Sequence, residues 1–202
     1  MSTDTDMCKP FPLVSIAGDP MTRGIQYGEA VPERIAHSAG YYRNELKKIG
    51  LPDAQQKALI DEFAEQIALF RADHTAEMQG IAQGSQVAFD DIVLINARTE
   101  IIAKARKLKA LAPIDPAEGE CTAAVVGAAR SATGRVIQAH NWDWDPDARD
   151  STIVLRVTSD SGHTLLTLVE AGGLARHGVN SAGIGLTGNY MTCDRDYTQT
   201  GV

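Results

Sequence analysis

Apolar positions change their period along this chain. In the first part they recur at helical spacing. Leu59, Phe63, Ile67 and Phe70 follow one another at intervals of four, four and three, behind Pro52-Asp53 and with Gln56 placed as a capping-box partner. This pattern predicts a helix whose stripe enters the core. A second helix is predicted from Asp90 or Asp91, with Ile92, Ile95, Thr99 and Ile102 on one face. It ends in the basic stretch Lys104 to Lys109, where cations suit the negative end of the helix dipole. Between the two lies a shorter amphipathic piece, Glu77 to Ala82, ended by Gly84.

After Ala110 the texture shifts. Leu111 to Glu120 carries prolines, a glycine and acidic residues, and reads as a loop. Short β-rich runs follow at Thr122 to Gly127, Val136 to Asn141, Thr152 to Thr158 and Thr164 to Val169. Turn signals at Thr133-Gly134 and Asp160-Ser161-Gly162 separate them, as in an antiparallel meander. Helices first and strands second predict an α+β fold in one structural domain, with residues 1–120 largely helical and 121–202 opening a β segment. Met191 to Val202 is polar and shows no terminal element, so a further element is expected beyond Val202.

Composition narrows the function classes. The chain has 202 residues, 44% of them hydrophobic, and a formal net charge of −7. It lacks the basic footprint of a nucleic-acid-binding protein. No apolar run reaches the roughly 18 residues of a membrane span. The acidic start, Met1 to Asp6, is not followed by a secretory h-region. Cys8, Cys121 and Cys193 form an odd, widely spaced set with no C-x-x-C, as expected of a reducing compartment. A cytoplasmic protein without nucleic-acid or membrane partners is expected.

Cys121 is the first candidate for chemistry. It ends the polar loop and begins an apolar strand, Thr122-Ala123-Ala124-Val125-Val126. A thiol held there can attack the carbonyl of Glu120 in an N-to-S acyl shift, and water then hydrolyses the thioester. The freed α-amine, with an ordinary pKa of about 8, can act as base for its own side chain. The alternative is a buried structural cysteine, a common fate of free thiols. A papain-like pairing of Cys121 with a distant histidine also stays open, with His37, His74, His163 and His177 available.

The second candidate is the run His140-Asn141-Trp142-Asp143-Trp144-Asp145-Pro146-Asp147. A strand leaving Cys121, turning at Thr133-Gly134 and returning brings this run beside the thiol. Asp143 can then hold the new α-ammonium group, and Asn141 can offer its amide to substrate. A plain Asx-rich strand end is the alternative. Asp143, Asp145 and Asp147 match the start of an EF-hand loop, but Ala148 stands where glycine is needed and Val154 where glutamate is needed. No metal site is expected. Gly183-Ile184-Gly185-Leu186-Thr187-Gly188 satisfies G-x-G-x-x-G without the helix and acidic residue a dinucleotide site requires, so the glycines read as strand-turn packing.

Taken in order, several short motifs resemble one family. They are Gly24 to Tyr27-Gly28, Asn96-Ala97-Arg98-Thr99-Glu100, Glu120-Cys121-Thr122, Asn141-Trp142-Asp143, Glu170-Ala171-Gly172 and Gly178-Val179-Asn180-Ser181-Ala182-Gly183. Together they resemble the isopenicillin N acyltransferase-like (acyl-coenzyme A:aminopenicillanate acyltransferase) group of N-terminal nucleophile hydrolases. The resemblance implies a four-layer αββα sandwich, incomplete here at the C-terminus. It also implies a precursor cut between Glu120 and Cys121 into α and β fragments that stay associated. Cys121 becomes the nucleophile, Asp143 the carboxylate near its α-amine, Asn189 an oxyanion-hole amide, and Asn141 and Trp142 substrate contacts. The implied substrate is a small linear amide, an acylated amino acid, peptide or β-lactam side chain. No cofactor is implied beyond acyl-coenzyme A as an acyl donor. The chain departs from relatives that carry arginine where His140 stands, and from the more familiar glycine where Glu120 stands.

Overall fold

The computed structural model describes residues 10–111 and 121–190. Residues 112–120, with the Glu120 side of the junction, lie outside the described residues, as do Cys8, Cys193 and the polar tail 191–202. The chain runs β1 (Leu13–Gly18), α1 (Pro20–Ala30), α2 (Pro32–Ile49), α3 (Asp53–Phe70), α4 (Ala72–Ser85), α5 (Phe89–Asn96) and α6 (Arg98–Leu108). After residue 120 come β2 (Thr122–Val126), β3 (Ile137–Asn141), β4 (Thr152–Ser159), β5 (Thr164–Glu170), β6 (His177–Asn180) and β7 (Gly185–Leu186). The protein is therefore α+β. None of its described helices is long and apolar enough to cross a membrane.

Local chemistry sets the helix ends. Asp19 caps α1: its Oδ1 accepts from the Thr22 backbone N–H at 3.0 Å, and Pro20 takes the first helical position. Gly50 closes α2 in the left-handed region at φ 74°. In α3, Leu59, Phe63 and Ile67 are buried as the stripe predicts, but Phe70 is 64% exposed because the helix ends there. Gln56 does not complete a capping box; its Nε2 donates to the Leu51 carbonyl at 2.7 Å.

Two helical readings need correction. The piece around Glu77 to Ala82 is part of the longer α4, and Gly84 lies inside it. Gly80 and Gly84 serve a crossing with Gly24 and Gly28 of α1. A Cβ on Gly24 would meet the Glu77 carbonyl oxygen and lie 2.8 Å from the Gly80 Cα, so the two backbones touch directly. The predicted second helix is two helices broken at Ala97. Ile92 and Ile95 are buried, but beyond the break Ile101 is the buried residue while Thr99 and Ile102 are half-buried. The break frees Asn96 and Arg98 to reach the loop after β5.

The main sheet has the order β1-β4-β5-β6-β7. β1 runs parallel to β4, with Val14 opposite Leu155, and the other neighbours are antiparallel. One face, with Val14, Ile16, Ile153, Leu155 and Val169, joins the helices in a single core. β2 and β3 form a separate antiparallel pair. The hairpin lies over the opposite face of the main sheet, where a Cβ on Gly185 of β7 would meet the side chain of Gln138 from β3. The described residues thus comprise helices packed on one face of a five-stranded sheet, and a largely exposed two-stranded pair that touches the sheet through Gln138 and His140.

Candidate active site

The ladder of β2 and β3 pairs Thr122 with Asn141 and Ala123 with His140. Carried one residue further, this register sets Cys121 across from Trp142. Paired residues share a face of a sheet. Cys121 and Ala123 therefore share a face with Trp142, His140 and Gln138, the face turned toward β6. Cys121 is half-buried and its thiol is free. Its carbonyl oxygen accepts from the Asn189 side-chain amide at 2.8 Å, across 68 positions of sequence. Asn189 reaches it because β7 turns the chain back toward the hairpin.

Asn141 is exposed on the other face. Asp143 lies two residues beyond the ladder, exposed, and its carboxylate makes no hydrogen bond or ion pair among the described residues. Trp142 is half-buried, its ring centre 5.8 Å from that of His177 and 6.3 Å from that of Trp144, the two indoles being nearly parallel. The fold thus joins Asn189 to Cys121, while Trp142 and Asp143 follow the end of the strand paired with the one that Cys121 precedes.

A cleft of about 420 Å³ opens beside this centre. Phe11, Trp142, Trp144 and Leu168 give it apolar walls, and His140, His177, Asp145, Arg149 and Thr152 supply its polar groups. Cys121 is not among its lining residues; Trp142 connects the two. His140 of β3 and His177 of β6 meet edge to face at 4.5 Å, so the pair is a contact between the two sheets. None of their four ring nitrogens has a hydrogen-bond partner among the described residues. Burial, aided by the neighbouring His140, pushes the pKa of His177 below the usual histidine value.

Behind the cleft stands a buried ionic cluster that local sequence patterns do not reveal. Glu170, 2% exposed at the end of β5, forms an ion pair with Arg98, its Oε2 lying 2.6 Å from Nη2, and its Oε1 accepts from the Tyr42 hydroxyl. Burial holds Tyr42 far above the ordinary phenol range, so it remains a donor. Arg176 approaches the same carboxylate at 3.8 Å. Asn96 binds the adjoining loop from both ends of its amide: Nδ2 donates to the Gly172 carbonyl at 2.9 Å, and Oδ1 accepts from the Leu174 N–H at 3.0 Å. The buried Tyr27 hydroxyl accepts from the Gly172 N–H at 3.0 Å and donates to the Gly173 carbonyl at 3.3 Å. The motifs around Tyr27, Asn96 and Arg98 therefore converge on the third, Glu170-Ala171-Gly172. Their order was visible in the sequence, but this meeting was not.

Among the described residues, no group of three or more His, Cys, Asp or Glu side chains is arranged to hold a metal ion. The segment Gly183 to Gly188 contains β7, preceded by a turn that ends at Gly183, in the left-handed region at φ 84°.

No protein-family model matches the chain. Over 182 residues it is 26% identical to the acyl-coenzyme A:6-aminopenicillanic-acid-acyltransferase 40 kDa form of Emericella nidulans, an alignment covering 88% of this chain and 46% of that protein. The chain is thus similar to an acyltransferase and spans about half the length of this curated relative.

Proposed function

We propose that this chain belongs to a self-processing amidohydrolase or acyltransferase whose nucleophile is Cys121. The observation that carries the reading is the hydrogen bond from Asn189 to the Cys121 carbonyl, which joins the thiol-bearing residue to a side-chain amide donor at a strand start. The distant similarity to an acyltransferase points the same way.

In the maturation step, the Cys121 sulfur attacks the carbonyl carbon of Glu120. The C–N bond breaks, the Cys121 nitrogen takes the proton, and a thioester links Glu120 to the sulfur. Water then hydrolyses the thioester, leaving a carboxylate on Glu120 and a free thiol and α-amine on Cys121. In the catalytic cycle that amine takes the thiol proton as sulfur attacks a substrate amide. The amide nitrogen leaves with the proton and the acyl group stays on sulfur. Water or a second amine then resolves the acyl-enzyme, giving hydrolysis or transfer. Asn189 donates to the oxyanion, and Asp143 holds the α-ammonium group.

The cleft beside Trp142 takes the acyl portion of a small amide, and its indole, phenyl and leucine walls favour an apolar or flat acyl group. Acyl-coenzyme A fits the scheme as an acyl donor and needs no resident cofactor. The two fragments remain associated in this scheme, in a cytoplasmic enzyme.

Intact mass spectrometry tests the proposal. Two fragments with a new N-terminus at Cys121, replaced by one uncut chain in Cys121→Ala, are expected. An uncut wild-type chain whose Cys121 thiol is no more reactive than an ordinary cysteine would sink the reading.

A further inference from the structure

We propose that Glu170 is a positioning residue for the Cys121 centre, acting through Arg98 and Arg176 on the two tryptophans that flank Asp143. The inference rests on the reading of Cys121 as the nucleophile.

Glu170 gathers two guanidinium groups, and each covers one indole. The Arg176 Cζ lies 4.6 Å from the centre of the Trp142 ring. The Arg98 Cζ lies 5.8 Å from the centre of the Trp144 ring and 5.2 Å from that of Tyr42. The two indoles stack on each other within 15° of parallel. One buried carboxylate thus fixes the side chains on both sides of Asp143. Trp142 is also the residue that the hairpin register sets level with Cys121. Setting both tryptophans sets the direction of the backbone between them, and with it the aim of the Asp143 carboxylate.

A purely structural ion pair would account for Arg98, which is 7% exposed and lies 2.6 Å from the Glu170 carboxylate. It would not account for Arg176. That side chain is a quarter exposed, stands 3.8 Å from the carboxylate, and lies over Trp142. A planar guanidinium can face an aromatic ring and a carboxylate together, which a lysine ammonium does poorly. Arg176 can therefore be changed while the buried Arg98–Glu170 pair is kept.

The test uses Arg176→Gln and Arg176→Lys in the 202-residue protein, with Glu170→Gln as a further variant. Trp142 and Trp144 are the only tryptophans, so intrinsic fluorescence reports on them directly. Both Arg176 variants should keep the wild-type unfolding midpoint. Both should show red-shifted emission, at least a twofold rise in acrylamide quenching, and at least a threefold change in the rate of iodoacetamide alkylation mapped to Cys121. Wild-type emission and alkylation in both Arg176 variants, or full restoration by lysine, would overturn the proposal. Fluorescence and alkylation are readable on cut or uncut protein. A chain that never splits therefore counts against the scission reading alone.

Discussion

The Asn189 amide donates to the carbonyl of Cys121 at 2.8 Å, tying the segment three residues beyond the last short strand to the residue before the first strand of the hairpin. Asn189 is exposed, so its truncation should cost stability no more than about 0.5 kcal/mol. If its amide stabilises the oxyanion, Asn189→Ala should slow scission before Cys121 by about 10²-fold or more. Time-resolved mass spectrometry with an unfolding curve on the same sample separates these effects. A scission rate equal to wild type would remove Asn189 from the chemistry.

The Arg98–Glu170 pair is buried on both sides, and removing Arg98 leaves the buried carboxylate with only the more distant Arg176, at 3.8 Å, as counter-ion. Arg98→Met should destabilise the protein by about 3–5 kcal/mol in urea unfolding. Lys57→Met, at the exposed contact with Asp61, should leave the unfolding curve close to wild type, because water screens that pair. Similar losses at the two sites would mean that the Arg98 charge is solvated.

The α1–α4 crossing gives a second contrast. Gly24→Ala places a methyl group against the backbone of α4 and should cost about 1–3 kcal/mol as the helices are forced apart. Gly40 lies inside α2 with nothing within 4 Å of its absent Cβ. Gly40→Ala should stabilise by about 0.5–1 kcal/mol. Thermal melts of the two variants should therefore move in opposite directions.

His177 predicts a pH dependence. Its folded pKa lies below the unfolded value because burial and His140 oppose a second proton. As pH falls through the ordinary histidine value of about 6.5, the unfolded chain takes up the proton first, so stability falls. The loss is complete below the folded pKa. His177→Phe should flatten this part of the stability profile, measured by urea midpoints between pH 7.5 and 5. A slope unchanged in the variant would assign it to other groups.

Much of the architecture was legible because it was written in local periods. Short β-rich runs between turn signals marked β2 to β5, and the Leu59–Phe63–Ile67 stripe marked α3. β1 escaped because it pairs in parallel with β4, a partner beyond six helices, so no neighbouring strand or turn marks it. The break at Ala97 escaped because apolar residues continue across it. Its cause is tertiary, since Asn96 and Arg98 must point to the Glu170 loop. The same limit applied to the site. Cys121 and the Asp143 run could be placed by one hairpin, whereas the His140–His177 contact and the cluster on Glu170 join strands and helices far apart in sequence.

The parallel pairing of β1 with β4 has a consequence for how the protein could be made. Residues on either side of position 120 share one sheet, one core and the Arg98–Glu170 pair. Neither portion can bury its apolar face without the other. Separately produced polypeptides 1–120 and 121–202 should each be poorly folded, yet complement one another on mixing, because their mating edges are already specified by β1 and β4.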